Sequence, residues 1–168
     1  MLLALLIAAA PWLEMSGGPV FIAKGTAAGG SGSMLRLEVG VPLGERVALE
    51  AWLSGAIASA PRSGPYDAAP AELGTSAVPS LGLGGRLLLA RFADQFGVWA
   101  HGGAGWAPYF GYGGRSGPTA FGGALLSFQP FVKRFSLGLE ADAVVWNNIL
   151  GPDNAVALAV LPSLRCSF

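Results

Sequence analysis

Charge is scarce in this chain. Only 12% of its 168 residues are Asp, Glu, Lys or Arg, about half the share of an ordinary soluble domain. The ten basic and ten acidic residues cancel, and the isoelectric point is near 6.6. That balance offers no basic stripe, so a nucleic-acid partner is not expected. Cysteine is nearly absent: Cys166 stands alone, and no internal disulfide can form. His101 is the single histidine. With no Cys/His pair at ligand spacing, the sequence predicts neither a metal site nor a cofactor. Long apolar runs are missing as well. A transmembrane helix needs about 18–20 consecutive apolar residues. The one pure apolar run, Met1–Leu13, is shorter, and the uncharged stretch Gln95–Gly114 is broken by seven glycines and a proline.

What is present is hydrophobicity: 52% of the residues, with a mean hydropathy of +0.53. A disordered chain is excluded on those values. The opening MLLALLIAAAP reads as the apolar region of a secretory signal peptide, with Ala8–Ala10 as small residues for cleavage. Residues 1–15 are therefore expected to be a signal peptide or its remnant, and 19–168 the folded domain.

The remainder is organised with a period of two, the pattern of half-buried strands. Leu81, Leu83, Leu87 and Leu89 share one parity, with Gly82, Gly84 and Arg86 on the other. Phe135, Leu137, Leu139, Ala141, Ala143 and Val145 alternate with Arg134, Ser136, Gly138, Glu140 and Asp142. Val47, Leu49, Ala51, Leu53 and Ile57 alternate with Arg46, Ala48, Glu50, Trp52 and Ser54. The C-terminus sets Val156, Leu158, Val160, Pro162, Leu164, Cys166 and Phe168 against Ala157, Ala159, Leu161, Ser163 and Arg165. Eight strands are predicted, at 19–26, 33–41, 45–57, 79–91, 95–106, 118–129, 133–146 and 155–168. Connections alternate between short and long. Such hairpins predict an all-β, eight-stranded antiparallel up-and-down transmembrane barrel with both termini on the short-turn, periplasmic side. The loop 58–78, rich in Pro, Ala, Gly and Ser, has the composition of a mobile segment.

The charges decide which face is which. A soluble barrel would cover its outside with charge, yet the apolar parity of the strands carries almost none, Arg91 being the exception. The apolar face is therefore expected to meet lipid and the polar parity to fill the interior. That places Arg36, Glu38, Arg46, Glu50, Arg86, His101, Glu140, Asp142 and Arg165 in the lumen, as a balanced salt-bridge network of buried, paired charges. A register with Gly40 opposite Arg46 would set Arg36 opposite Glu50. Aromatics segregate too. Phe92, Phe96, Phe128, Phe131, Phe135 and Phe168 fall at the short-turn end; Trp106, Tyr109, Phe110, Tyr112 and Trp146 fall at the other. Two interfacial girdles are expected from them.

On these features the chain resembles the small eight-stranded outer-membrane barrels of the OmpA and OmpX type, over residues 19–168. The terminal strand 156–168 ends in Phe168, with Cys166, Leu164 and Pro162 before it at alternate positions on the same apolar parity, similar to the family's barrel-assembly signal. Pro162 and Cys166 depart from that pattern. The resemblance implies an outer-membrane location and, as partners, the lipid bilayer and the barrel-assembly machinery. The composition is also similar to that of myxobacterial barrels tied to gliding motility, which implies an envelope or motility complex.

Function classes can then be weighed. Catalysis is not expected, because no serine and acid pair obviously joins His101 in a triad. Open diffusion is not expected either, because eight strands leave an interior that side chains fill. A structural or interaction role in an envelope complex, with motility or adhesion as its setting, is the reading that remains; a narrow channel or a lipid-modifying enzyme is the alternative. Binding would fall to the loops, through Arg62 and Tyr66 in one and Tyr109, Phe110, Tyr112 and Arg115 in another, since Arg and aromatic side chains are the usual interface anchors.

Overall fold

The computed structural model describes residues 10–25, 27–61, 73–93, 95–108, 116–130, 134–147, 149–150 and 153–168. Eight strands, β1 (Trp12–Lys24), β2 (Ser31–Pro42), β3 (Val47–Pro61), β4 (Leu73–Phe92), β5 (Phe96–Ala107), β6 (Gly117–Phe128), β7 (Phe135–Asn147) and β8 (Asn154–Ser167), follow one another around a closed barrel. Every neighbouring pair is antiparallel, including the closing pair β1 and β8. The described residues form no helix, so none of them makes a helix long and apolar enough to cross a membrane.

The period-two pattern has its physical outcome in the side-chain faces. Leu37, Leu49, Leu53, Leu81, Leu83, Leu137, Leu139 and Leu158 lie exposed on the outside. Their neighbours in sequence, Glu38, Glu50, Trp52, Glu140 and Ala157, lie buried inside. Phe92, Phe96, Phe135 and Phe168 are exposed around the short-turn end.

Several expectations need correction. β1 starts at Trp12, not near residue 19, so part of the segment read as a signal remnant belongs to the wall: Leu13 and Met15 face out, Glu14 and Ser16 face in. The β2–β3 hairpin is centred two residues later than expected. Leu43–Arg46 make the turn, closed by Leu43 N–H donating to Val47 O at 2.9 Å. Gly40 therefore stands opposite Glu50, and Arg36 opposite Ser54. Arg46 leaves the lumen for the exposed turn. The loop predicted at 58–78 is shorter, since Ala58–Pro61 pair with Leu73–Ser76 as the far ends of β3 and β4. Trp146, assigned to the outer girdle, is buried inside.

Two local features accommodate residues that strands resist. Pro162 and Pro19 share a gap in the β1–β8 ladder, which runs from Trp12↔Ser167 to Ser16↔Ser163 and resumes at Val20↔Ala159. Proline lacks the N–H that a ladder needs, so it is tolerated where pairing lapses. In β4 the register shifts between Leu88 and Ala90. Such a bulge re-aims the residues beyond it. Arg91 is brought opposite Gly97 and onto a cavity at the short-turn mouth with Trp99 and Arg165. That shift explains why Arg91 broke the parity rule.

Candidate functional site

The interior divides into two halves. Towards the long loops it is apolar: Val20, Ile22, Met34, Val78, Phe121, Val144, Trp146 and Leu161 belong to one buried cluster. Towards the short turns it is charged. The dividing level is set by strand direction, because the same inward parity carries Glu, Arg and His near the short turns and Val, Ala and Trp near the long ones.

Two arginines organise the charged half. Arg86, from β4, reaches across the lumen. Its Nη1 donates to Glu14 Oε2 at 2.8 Å and its Nη2 to Glu38 Oε2 at 2.7 Å. Its Nε is ion-paired with Glu50. Glu14 and Glu38 stand directly opposite each other on β1 and β2. Two like charges in that position repel, and the Arg86 fork between them turns the repulsion into a bridge. Glu14 is held further by Ser163 Oγ at 2.7 Å and Arg165 Nε at 3.1 Å.

Arg36, from β2, serves the other side. Its Nη1 lies 3.0 Å from Glu140 Oε2, 2.8 Å from Asp142 Oδ2 and 3.5 Å from Glu38 Oε1. Its guanidinium stacks over the Phe121 ring, 4.0 Å from the centroid, a cation–π contact that gains strength where water is excluded. Asp142 also meets His101, with Nε2 and Oδ1 2.7 Å apart. His101 stands opposite Arg86 across the β4–β5 pair.

Glycines make room for these side chains. A methyl at Gly40 would overlap the Trp12 indole, and one at Gly123 would overlap Asp142. Arg165 lies nearer the short-turn mouth, 5.0 Å from the Trp12 ring centroid. Beside it, a cavity of about 60 Å³ is lined by Arg91, Trp99, Ser127, Gln129, Ser136 and Arg165 among others. At the same end Phe168 N–H donates to Pro11 O at 3.0 Å. Both ends of the described barrel thus meet at the short-turn side.

The structure therefore places Arg36, Glu38, Glu50, Arg86, His101, Glu140, Asp142 and Arg165 inside and brings them into contact, with Arg46 excluded. Sequence reasoning missed Glu14, Ser16 and Ser163. Carrying the alternation back through Leu13 and Met15 would have found the first two. The charge balance changes with them. Among the described residues, three guanidinium groups (Arg36, Arg86, Arg165) face five carboxylates (Glu14, Glu38, Glu50, Glu140, Asp142), rather than four against four. The loop residues Arg62, Tyr66, Tyr109, Phe110, Tyr112 and Arg115 lie outside the described residues, as does Phe131.

No protein-family model matches the chain, and no curated protein matches it in sequence. Solved structures do match. Neisserial surface protein A superposes with a TM-score of 0.71 at 7% identity, covering 94% of this chain and 97% of that one. Ail, the attachment invasion locus protein of Yersinia pestis, solved with the heparin analogue sucrose octasulfate, gives 0.51 at 13% identity, covering 95% and 97%. The N-terminal β-barrel domain of Pseudomonas aeruginosa OprF gives 0.50 at 13% identity, covering 95% and 99%. The likeness spans the whole barrel and concerns its fold.

Proposed function

We propose that this chain is an integral barrel of a bacterial outer membrane, closed to solutes, with a structural or interaction role in the envelope. The observation that carries the proposal is the inversion of its surfaces: leucines exposed outside, salt bridges buried inside. Water would penalise that outside, and a bilayer favours it. Both described ends meet at the short turns, the side that faces the periplasm in such barrels. Phe168 is exposed at that same end.

A lumen filled this way supports a closed barrel. An apolar cluster lies above the charge network, and eight strands leave no spare width. Wall and lumen being so committed, recognition of an envelope partner falls to the loops and turns, whether the process is adhesion or motility. No catalytic role is proposed, because among the described residues His101 pairs with Asp142 and its Nδ1 meets no nucleophile. Planar-bilayer recording tests the closure. The purified barrel is expected to insert without giving stable single-channel steps. Reproducible conductance that changes with substitution of Arg36 or Trp146 would refute it.

A further inference from the structure

Three residues of the lumen that each carry an unsatisfied polar atom belong to one cluster. Glu38 on β2, His101 on β5 and Glu140 on β7 each bring a potential ligand atom within 4.8 Å of the other two. All three residues are more than nine-tenths buried. On each, one polar atom is engaged. Glu38 Oε2 accepts from Arg86 Nη2 at 2.7 Å, Glu140 Oε2 accepts from Arg36 Nη1 at 3.0 Å, and His101 Nε2 pairs with Asp142 Oδ1 at 2.7 Å. On each, the second atom has no hydrogen-bond partner: Glu38 Oε1, Glu140 Oε1 and His101 Nδ1. Glu38 Oε1 has only its 3.5 Å ion pair with Arg36. Buried polar atoms without partners are costly, and three from neighbouring residues point to one common occupant.

The charge count points to the same occupant. With His101 neutral, every carboxylate ionised and Arg91 at the mouth left out, three guanidinium groups against five carboxylates give a formal count of two negative charges in the described lumen, the amount that one divalent cation offsets. The engaged atoms fit as well. A histidine that ligates a metal through one nitrogen usually gives its other N–H to a carboxylate, and ligating carboxylates are themselves hydrogen-bonded. His101–Asp142, Glu140–Arg36 and Glu38–Arg86 are arranged in that way.

We propose that the lumen holds one divalent transition-metal cation between Glu38, Glu140 and His101. One imidazole with two carboxylates suits Zn²⁺ and its first-row neighbours, whereas Ca²⁺ takes six to eight oxygens. The spacing of residues along the chain could not reveal the site, because each ligand comes from a different strand. The cation would tie β2, β5 and β7 together across the barrel, and would enter from the short-turn end, away from the apolar cluster.

The test uses the untagged full chain folded in detergent, stripped with a chelator, loaded with Zn²⁺ and dialysed. Elemental analysis is expected to give one Zn²⁺ per chain. His101→Ala and Glu140→Gln are each expected to weaken binding at least about tenfold, and Asp142→Asn about tenfold through the orientation of His101. Folding of each variant is checked by its unboiled gel migration. X-ray absorption at the zinc edge of the wild-type protein decides the case if the variants do not fold: an oxygen-rich shell with one imidazole is expected. Substoichiometric zinc, a sulfur-containing shell from Cys166, or unchanged affinity in His101→Ala would each overturn the proposal.

Discussion

Replacing Arg86 with Met is expected to destabilise the folded barrel by about 3–5 kcal/mol, the cost of removing one partner from a buried ion network. The side chain is fully buried and engages Glu14, Glu38 and Glu50 together. Met keeps much of the volume, so lost packing contributes little. What remains is a set of buried carboxylates, two of them directly opposed on β1 and β2, with no cation between them. Urea unfolding of the barrel in lipid vesicles, followed by tryptophan fluorescence, reads the loss. Adding Glu14→Gln and Glu38→Gln to the Met variant should restore part of the stability, because neutral amides do not repel. A change below about 1 kcal/mol on Arg86→Met would mean that the network contributes nothing to folding, as exposed ion pairs commonly do.

The second large effect concerns the opposite face. Leu53→Arg is expected to cost about 2–4 kcal/mol in vesicles, the penalty for a guanidinium at the bilayer midplane. Leu53 is exposed, near the middle of β3, and is flanked by Leu37 on β2 and Leu81 on β4 in the same cross-strand row. On a water-facing surface the same substitution would be nearly neutral. Leu43→Arg, in the exposed short turn, serves as the comparison and is expected to cost about 0–1 kcal/mol, as near an interface. Equal and small effects at both positions would show that the leucine belt does not meet lipid.

Much of the barrel was legible in the sequence because a strand with one apolar face must alternate. The runs Phe135–Val145 and Val156–Phe168 show that directly, and their faces in the structure follow their parity. Three features were hidden for separable reasons. β1 begins inside a continuous apolar run, where Leu13 and Met15 continue the apolar character of Met1–Pro11 and mask the alternation. Arg91 lies beyond a bulge, and a bulge inverts parity without leaving a mark in composition. Trp146 has the inward parity of Glu140 and Asp142, but its place near a strand end suggested an interfacial girdle.

The lumen was legible as a set of residues and not as a set of contacts. Parity puts Arg36, Arg86, Glu38 and Glu140 inside. It does not say that Arg86 crosses to Glu14, or that Arg36 meets Glu140 and Asp142. Those contacts depend on the closure of the barrel and on a hairpin register displaced by the Leu43–Arg46 turn. The one expected lumen charge that the structure excludes, Arg46, lies in that turn. The count of charges changes through that exclusion and through Glu14, which the earlier start of β1 adds, and with it the inference that a cation occupies the interior.

Extraction of the chain from isolated cell envelopes tests the membrane barrel most directly. The protein is expected to stay with the membrane through high-salt and alkaline-carbonate washes and to leave only in detergent. Without boiling, it should then migrate on a denaturing gel at a position distinct from the boiled chain. Recovery of the folded protein in the salt wash, with no detergent present, would contradict a barrel whose leucines face lipid.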